Sequence, residues 1–261
     1  MENYLPVAIE IAREAGAVLM ERFDRPHEIV YKRPQDIVTE ADRRSEALIT
    51  SRLRDAFPGH DIVAEEGGGH LTNSEYCWYV DPLDGTTNFA HSYPVFCVSM
   101  GLARREEVIA GVIYDPTRDE LWTAELGGGA FRNGMRLRVS AVEDLKEGLL
   151  ATGFPPYSTD HERNMQYYMR FTEASHGVRR AGSAALDLCM VASGRFEGFW
   201  ELKLNPWDKA AGVLMVTEAG GRVTNLSGEP FRLLEGEIFA SNGLVHKAMI
   251  QVFSELLAPR D

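Results

Sequence analysis

Two aspartates three residues apart, Asp81 and Asp84 in the stretch VDPLDGTTNF (Val80–Phe89), stand directly before a glycine and two threonines. Pro82 and Gly85 are the residues of an ordinary solvated turn, and two like charges in a turn need no function. The same residue types also suit a site for hard cations. Mg²⁺ takes oxygen ligands in octahedral geometry, usually a few carboxylates completed by phosphate oxygens and water. On these ten residues alone, turn and site stand level. Further acids recur where strands end and helices begin: Glu65 and Glu66 close DIVAEE, Asp208 opens WDKAAG, and Asp36 and Asp42 flank DIVTEAD. Singly, each has a plain structural account, as a helix cap or first-turn acid (Asp42, Asp208) or a solvated strand end (Glu65, Glu66). Together they suit a metal cluster, because three or four acids converging on one cleft would repel one another without cations. Asp81 can then bridge two ions from the strand end, Pro82 stiffens the turn, the Leu83 carbonyl can point at a metal, and Asp84 reaches the second ion. Beyond it GTTNF can open a helix whose free N–H groups cradle phosphate, Gly85 letting the anion approach the backbone. A threonine hydroxyl there can hold a nucleophilic water, provided an acid behind it accepts its proton.

Composition narrows the alternatives. The 261 residues carry 39 acids against 27 bases, a net charge of −12, and are 44% hydrophobic. That charge argues against a nucleic-acid binder with a basic surface, and an acidic site binds phosphate only through intervening cations. No run approaches the ~18 uninterrupted apolar residues of a membrane helix, and MENYLPVAIEIAREAG lacks the layout of a signal peptide, so no membrane partner and a cytoplasmic location are expected. Cys77, Cys97 and Cys189 form no CxxC pair and read as small buried hydrophobes. No GxxxxGK[ST], GxSxG or HExxH occurs among the residues, which leaves P-loop, serine-hydrolase and histidine-zinc chemistry without support. Arg179 and Arg180 are either a solvated face or a means of steering anionic substrates.

The elements that must position these residues follow from periodicity. A helix is predicted over 3–23, capped by Asn3 with Pro6 in its first turn, and a second over 41–57, ended by Pro58-Gly59. Between them YKRPQDIVTEAD reads as a loop or hairpin. Short β-like runs follow (DIVAEE, CWYVD, VFCVSMGLA, EVIAGVIYD, ELWTAEL, AFRNGMRLRVS), an antiparallel-looking sheet punctuated by YDPTRDE and Gly127–Gly129. After about Lys146 strands and helices alternate: GLLATGF, a helix over 160–175, GVRRAG, a helix over 183–192, FEGFWELKL, a helix over 207–219, RVTNL, EIFASN and a closing helix over 244–257. The expected organisation is one packed body with an α+β half over 1–146 and an α/β half over 147–261.

DIVTEAD, AEE, VDPLDGTTNFAH, RRAGSAALDL and NPWDKAAG...TEAGG occur in the order and at about the spacings of the inositol monophosphatase family. The chain resembles that family, within the lithium-sensitive, Mg²⁺-dependent sugar phosphatases, from the first helix nearly to the C-terminus. The resemblance implies a layered αβαβα sandwich, a homodimer, and hydrolysis of phosphate monoesters by in-line attack of a metal-bound water. It places Glu65, Asp81 and the Leu83 carbonyl on a first Mg²⁺, and Asp81, Asp84 and Asp208 on a second. A weaker third ion would sit near Glu65, with Lys32 in the loop beside it. Thr86 backed by Asp42 would orient and activate the water, and the amides of Gly85 and Thr86 would hold the phosphate. The second ion would stabilise the leaving alkoxide. For the alcohol the resemblance points to Gly182, Ser183 and Ala184, and to Glu201 as the acid that binds inositol hydroxyls; on its residues alone Glu201 is equally a solvated strand end.

Two positions depart from the family pattern. Ala64-Glu65-Glu66-Gly67 stands where G-E-E-S is common, and Lys209 follows the last aspartate where an apolar residue is frequent; Lys209 is expected to weaken metal affinity slightly or to point to solvent. The leading expectation is hydrolysis of myo-inositol monophosphate. Relatives with the same metal core give the alternatives: fructose 1,6-bisphosphate, histidinol phosphate, NADP or an adenosine bisphosphate. A role of another class, as a regulatory partner of RNA polymerase, also follows from the family, without direct nucleic-acid binding.

Overall fold

The computed structural model describes residues 4–25, 29–33, 36–154 and 160–257, with no side-chain description at Arg33, Asp36 and Leu257. Helix α1 (Tyr4–Arg22) buries Ala8, Ile11, Ala12, Ala15 and Leu19, the single stripe its apolar spacing predicts. The capping Asn3 lies outside the described residues. A hairpin of β1 (Ile29–Arg33) and β2 (Asp36–Thr39) leads into α2 (Glu40–Ala56). Thr39 is the N-cap of α2 and Asp42 closes a capping box with it, so Asp42 is the third helical residue rather than the cap itself.

The large sheet runs β3 (Asp61–Ala64), β4 (Tyr76–Asp84), β5 (Cys97–Arg104), β6 (Glu107–Asp115), β7 (Glu120–Glu125), β8 (Gly129–Arg132) and β9 (Met135–Arg136), in chain order, with the short α3 (Thr86–Ala90) between β4 and β5. It is antiparallel except at β3–β4, which pair parallel, because residues 65–75 carry the chain back along the strand before β4 begins. The small sheet has the order β11-β10-β12-β14-β13, built from β10 (Leu149–Thr152), β11 (Gly177–Arg179), β12 (Gly198–Glu201), β13 (Arg222–Thr224) and β14 (Ile238–Ser241). Its helices are α4 (His161–Ala174), α5 (Ala184–Ala192), α6 (Pro206–Glu218) and α7 (His246–Leu257). Strands β11 and β12 are shorter than GVRRAG and FEGFWELKL suggest: after three or four paired residues the chain leaves the sheet to reach the starts of α5 and α6.

Three apolar clusters stack these elements into layers. Trp78, Val80, Met100 and Leu102 meet α1 and α2 on one face of the large sheet. On its other face Tyr79, Cys97, Ile113 and Trp122 join α5 and α6, which also touch Phe199 and Ala240 of the small sheet. Beyond that sheet Trp200 and Phe239 pack on Tyr167, Phe171 and Phe253 of α4 and α7. The result is the αβαβα sandwich, with α5 and α6 buried along most of their length because sheets cover both their sides. Gly101 and Gly111, paired across β5 and β6, make the central approach close: a Cβ on Gly101 would lie 2.6 Å from the Ala210 Cβ and 2.8 Å from the Ala211 nitrogen. Without side chains there, α6 settles directly on the sheet at Ala210 and Ala211, one turn beyond its start at Pro206 and close behind Asp208. Among the described residues no helix is long and apolar enough to cross a membrane.

Candidate active site

In a regular strand, residues three apart point to opposite faces, so Asp81 and Asp84 would be split by the sheet. They are not, because β4 carries a bulge. Asp81 pairs with Ser99 and Asp84 with Cys97: β4 advances three residues while β5 advances two. Ser99 and Cys97 share a face, and so therefore do the two aspartates. Pro82, which has no N–H to give a ladder, sits inside the bulge. Asp81 Oδ1 accepts the Leu83 N–H at 3.0 Å and fixes the turn from within. Gly85 follows at φ 102°, a conformation that glycine adopts without strain, and turns the chain into α3.

Helix α2 closes the site on one side. Asp42 is fully buried; its Oδ2 accepts the Thr39 N–H (2.8 Å) and hydroxyl (2.6 Å), and its Oδ1 accepts the Thr86 hydroxyl at 2.9 Å. The acid behind the threonine is therefore in place. Thr86 Oγ1 also lies 3.1 Å from the Leu83 carbonyl. Ser45 donates to the Pro82 carbonyl at 2.9 Å, and the Glu46 carboxylate accepts the N–H groups of Glu66 (2.6 Å) and Gly68 (2.7 Å). From the hairpin, the Lys32 ammonium lies 3.2 Å from Glu65 Oε1 and closer still to Glu66 Oε1.

The opposite wall comes from α5 and α6. Asp84 Oδ2 accepts the Ser183 hydroxyl and the Ala185 N–H, both at 2.7 Å, and Ser183 is the N-cap of α5. This places Gly182, Ser183 and Ala184 beside the bulge. Asn88 of α3 donates to the carbonyls of Val95 (2.7 Å) and Ala181 (2.9 Å) and locks that junction. Asp208 is the third residue of α6, its Oδ2 accepting the Asn205 N–H at 2.7 Å in a capping box. Glu201, at the end of β12, is not a solvated strand end: it is only 6% exposed, and its carboxylate lies against Gly153, where a Cβ would meet both oxygens at 2.2 Å. Lys209 does not point to solvent either. It is fully buried, donates to the Leu204 and Glu235 carbonyls, and lies over the Phe231 ring. Arg179 and Arg180 are exposed.

Comparison with known proteins accounts for this arrangement. The model of the inositol monophosphatase family matches residues 1–258. The inositol-1-monophosphatase of Synechocystis sp. is 43% identical over 258 residues, covering 97% of this chain and 90% of the relative. The chain belongs to the inositol monophosphatase family. It is a phosphatase, a phosphoric monoester hydrolase. The Nus factor SuhB of Pseudomonas aeruginosa is 41% identical over 268 residues, 99% of this chain and 98% of that one. Among solved structures, the inositol monophosphatase of Anabaena (Nostoc) sp. matches with a TM-score of 0.85 at 42% identity, covering 97% of this chain and 95% of that one. The extragenic suppressor protein suhB of Bartonella henselae reaches 0.92 at 40% identity, covering 96% and 98%.

Electrostatics show how crowded the phosphatase's cleft is. Burial, then repulsion from Glu65, Asp84 and Asp208, pushes Asp81 well above the carboxylate range. Burial, then Glu65 and Asp84, does the same to Asp208. Asp84 rises only to about 6, because its bonds from Ser183 and Ala185 oppose the burial. Burial raises Glu66 to about 7, against its bond from Lys32. Burial and then Asp208 push Glu201 well up. Among the described residues no three acids, histidines or cysteines are gathered at ligating distance around one point. Asp81, Asp84 and Asp208 each commit one oxygen to a local N–H or O–H, and Glu65 pairs with the Lys32 ammonium. The donor set still fits a hard divalent cation. It is all oxygen and mutually repelling, and opposite Asp81 it includes a buried hydroxyl, Ser99 Oγ, with no hydrogen-bond partner. Metal dependence is general in this family.

Periodicity did not single out Ser45, Glu46, Ser99 and Asn88. A signal for the first two existed: Asp42, Ser45 and Glu46 extend the buried stripe of Ile49 and Leu53 toward the start of α2, polar residues where a core face should be apolar.

Proposed function

We propose that this phosphatase is a Mg²⁺-dependent, cytoplasmic homodimer that hydrolyses myo-inositol monophosphate to inositol and phosphate. One observation carries the reading: the β4 bulge sets Asp81 and Asp84 on one face, between the Asp42–Thr86 pair and the α5 and α6 starts that bear Ser183 and Asp208. Glu65, Asp81, the Leu83 carbonyl, Asp84 and Asp208 would hold two Mg²⁺ ions, with Lys32 in the loop beside a third. Bound there, the ions would supply an activated water, charge neutralisation for phosphate and stabilisation of the leaving alkoxide. The chain's own residues do the rest. Asp42 accepts the Thr86 proton, so the threonine oxygen keeps its lone pairs toward the cleft and orients the attacking water. The first N–H groups of α3, at Gly85 and Thr86, point past the helix end as donors for phosphate oxygens. Glu201, only 6% exposed, offers its carboxyl group to polyol hydroxyls, with Gly182, Ser183 and Ala184 as further contacts for the alcohol. A buried carboxyl group there favours an uncharged polyol over a second phosphate, to which it offers no balancing cation.

The test is phosphate release by the purified protein on inositol 1-phosphate, fructose 1,6-bisphosphate, histidinol phosphate, NADP and adenosine 3′,5′-bisphosphate, with EDTA and LiCl arms and light scattering for the dimer. The expected result is a preference for inositol 1-phosphate, abolished by EDTA and inhibited by millimolar Li⁺. Equal turnover in EDTA would sink the metal assignment, and a preference for NADP or a bisphosphate would sink the substrate. A second role, association with the transcription machinery, is supported by relatives named Nus factor SuhB. Retention on immobilised RNA polymerase tests it, and no retained protein counts against it.

A further inference from the structure

One turn of α2 touches both loops of the large sheet that bring carboxylates to the cleft, the one after β3 that bears Glu65 and the β4 bulge that bears Asp81 and Asp84. Asp42 holds Thr86 beyond β4, Ser45 holds the Pro82 carbonyl inside the bulge, and Glu46 holds the Glu65–Gly68 turn through the N–H groups of Glu66 and Gly68. Positions i, i+3 and i+4 share one face of a helix, so the three contacts have a fixed spacing set by a rigid element. Glu46 is the most committed of them. Its residue is 4% exposed, and each carboxylate oxygen receives one N–H, at 2.6 and 2.7 Å, the short geometry of a charge-assisted bond. The Glu66 N–H belongs to the peptide that leaves Glu65, so the bond fixes the backbone on which the Glu65 side chain turns. Gly68 is built around the same carboxylate: a Cβ there would lie 2.6 Å from Glu46 Oε1. Lys32 grips Glu65 and Glu66 from the other side with a longer, more exposed side chain.

We propose that Glu46, clamping the Glu65–Gly68 turn to α2, is a positioning residue that sets the place of Glu65 and thereby the affinity for Mg²⁺. The proposal rests on the reading of Glu65 as a metal ligand. Glu46 touches neither metal nor substrate; it acts by holding the loop where a carboxylate can ligate without first ordering it. In Glu46→Gln one oxygen becomes an NH₂ that faces an N–H donor, so one of the two bonds is lost and the turn loosens. Gly68→Ala attacks the same contact from the loop. Its backbone is in a conformation open to any residue, so the only expense is the collision with Glu46 Oε1.

The experiment is isothermal titration of the EDTA-stripped, desalted protein with Mg²⁺, for wild type, E46Q, G68A and E65Q, together with the Mg²⁺ dependence of phosphate release. E46Q and G68A are expected to weaken Mg²⁺ binding roughly 10–100-fold, the effect of losing a partner that orients a ligand. Their kcat should return toward wild type at saturating Mg²⁺, with substrate KM there unchanged. A role in stability alone would instead lower the thermal midpoint in EDTA and leave the Mg²⁺ titration where it was. Should E46Q fail to fold, G68A, which keeps every hydrogen-bonding atom, answers the question. Wild-type Mg²⁺ affinity in E46Q and G68A, with E65Q weakened, overturns the proposal and leaves the metal site standing. Wild-type affinity in E65Q overturns both.

Discussion

The Asp42 carboxylate does two jobs with its two oxygens, and they can be separated. Oδ2 holds the start of α2 through two bonds from Thr39, and Oδ1 receives the Thr86 hydroxyl. In Asp42→Asn a single oxygen remains. Keeping it on Thr39 preserves two bonds and placing it on Thr86 preserves one, so the amide NH₂ turns toward Thr86 and the helix cap survives. The threonine then has no acid behind it and can donate only to the Leu83 carbonyl. Turnover should fall by about 10²–10⁴, the usual contribution of a positioned acid–base group, or about 3–5 kcal/mol of barrier. Folding stability should change by less than the ~1 kcal/mol of a helix cap. Thr39→Ala makes the opposite split. It removes the cap, about 1 kcal/mol and about 2–4 °C in Tm, and leaves the Asp42–Thr86 bond and most of the turnover. Thr86→Val should match Asp42→Asn in turnover. The double variant should be little worse than either single one, since the pair works as a unit. The assay is steady-state phosphate release at saturating Mg²⁺ beside thermal melts of all four proteins. Losses that multiply in the double variant, or an Asp42→Asn protein that melts like Thr39→Ala yet turns over like wild type, would refute the reasoning.

Four further outcomes are expected. Asp84→Asn can keep the Ser183 and Ala185 bonds through its remaining oxygen while removing one of the mutually repelling charges; it should lose nearly all activity yet melt higher than wild type in EDTA, and a lower midpoint there would contradict the crowding. Gly101→Ala places a methyl 2.6 Å from Ala210 and should cost about 1–3 kcal/mol by overpacking, with turnover reduced because α6 carries Asp208; urea unfolding checks the first part and kinetics the second. Glu201→Gln should raise KM for inositol 1-phosphate about 10–100-fold, the weight of one or two hydrogen bonds, while KM for p-nitrophenyl phosphate stays put; equal effects on both would show that Glu201 does not read the alcohol. His246 bonds Ser241 and Thr224 through its two ring nitrogens, and burial lowers it to about 4. The unfolded chain, at about 6.5, takes the proton first, so this stability is whole above pH 6.5 and lost as pH falls toward 4. Urea midpoints across that range should slope steeply in wild type and less in His246→Gln, and identical slopes would dismiss the histidine as the cause.

Local chemistry was enough for much of this protein. The α1 stripe, the break after α2 at Pro58-Gly59, the hairpins at 116–119 and 127–129 and the alternating second half all follow from periodicity and turn residues, which act within a few positions. On residue type and spacing the acids and the DPLDGTTN core suit a hard-cation site no better than an ordinary turn, and it is the resemblance of five separated segments to one family that gives them roles. Asp81 and Asp84 show where that reach ends. Whether residues three apart share a face depends on the bulge, and the bulge depends on pairing with Cys97 and Ser99 across β5, a register no local pattern encodes. The parallel β3–β4 pair, the burial of Glu201 against Gly153 and that of Lys209 over Phe231 are of the same kind, since each is set by a segment outside its own strand or helix. Residue identity supplied the acids, the threonine and the glycines. Packing alone determined which of them meet, because side-chain direction is a property of the sheet and helix faces on which the residues finally sit.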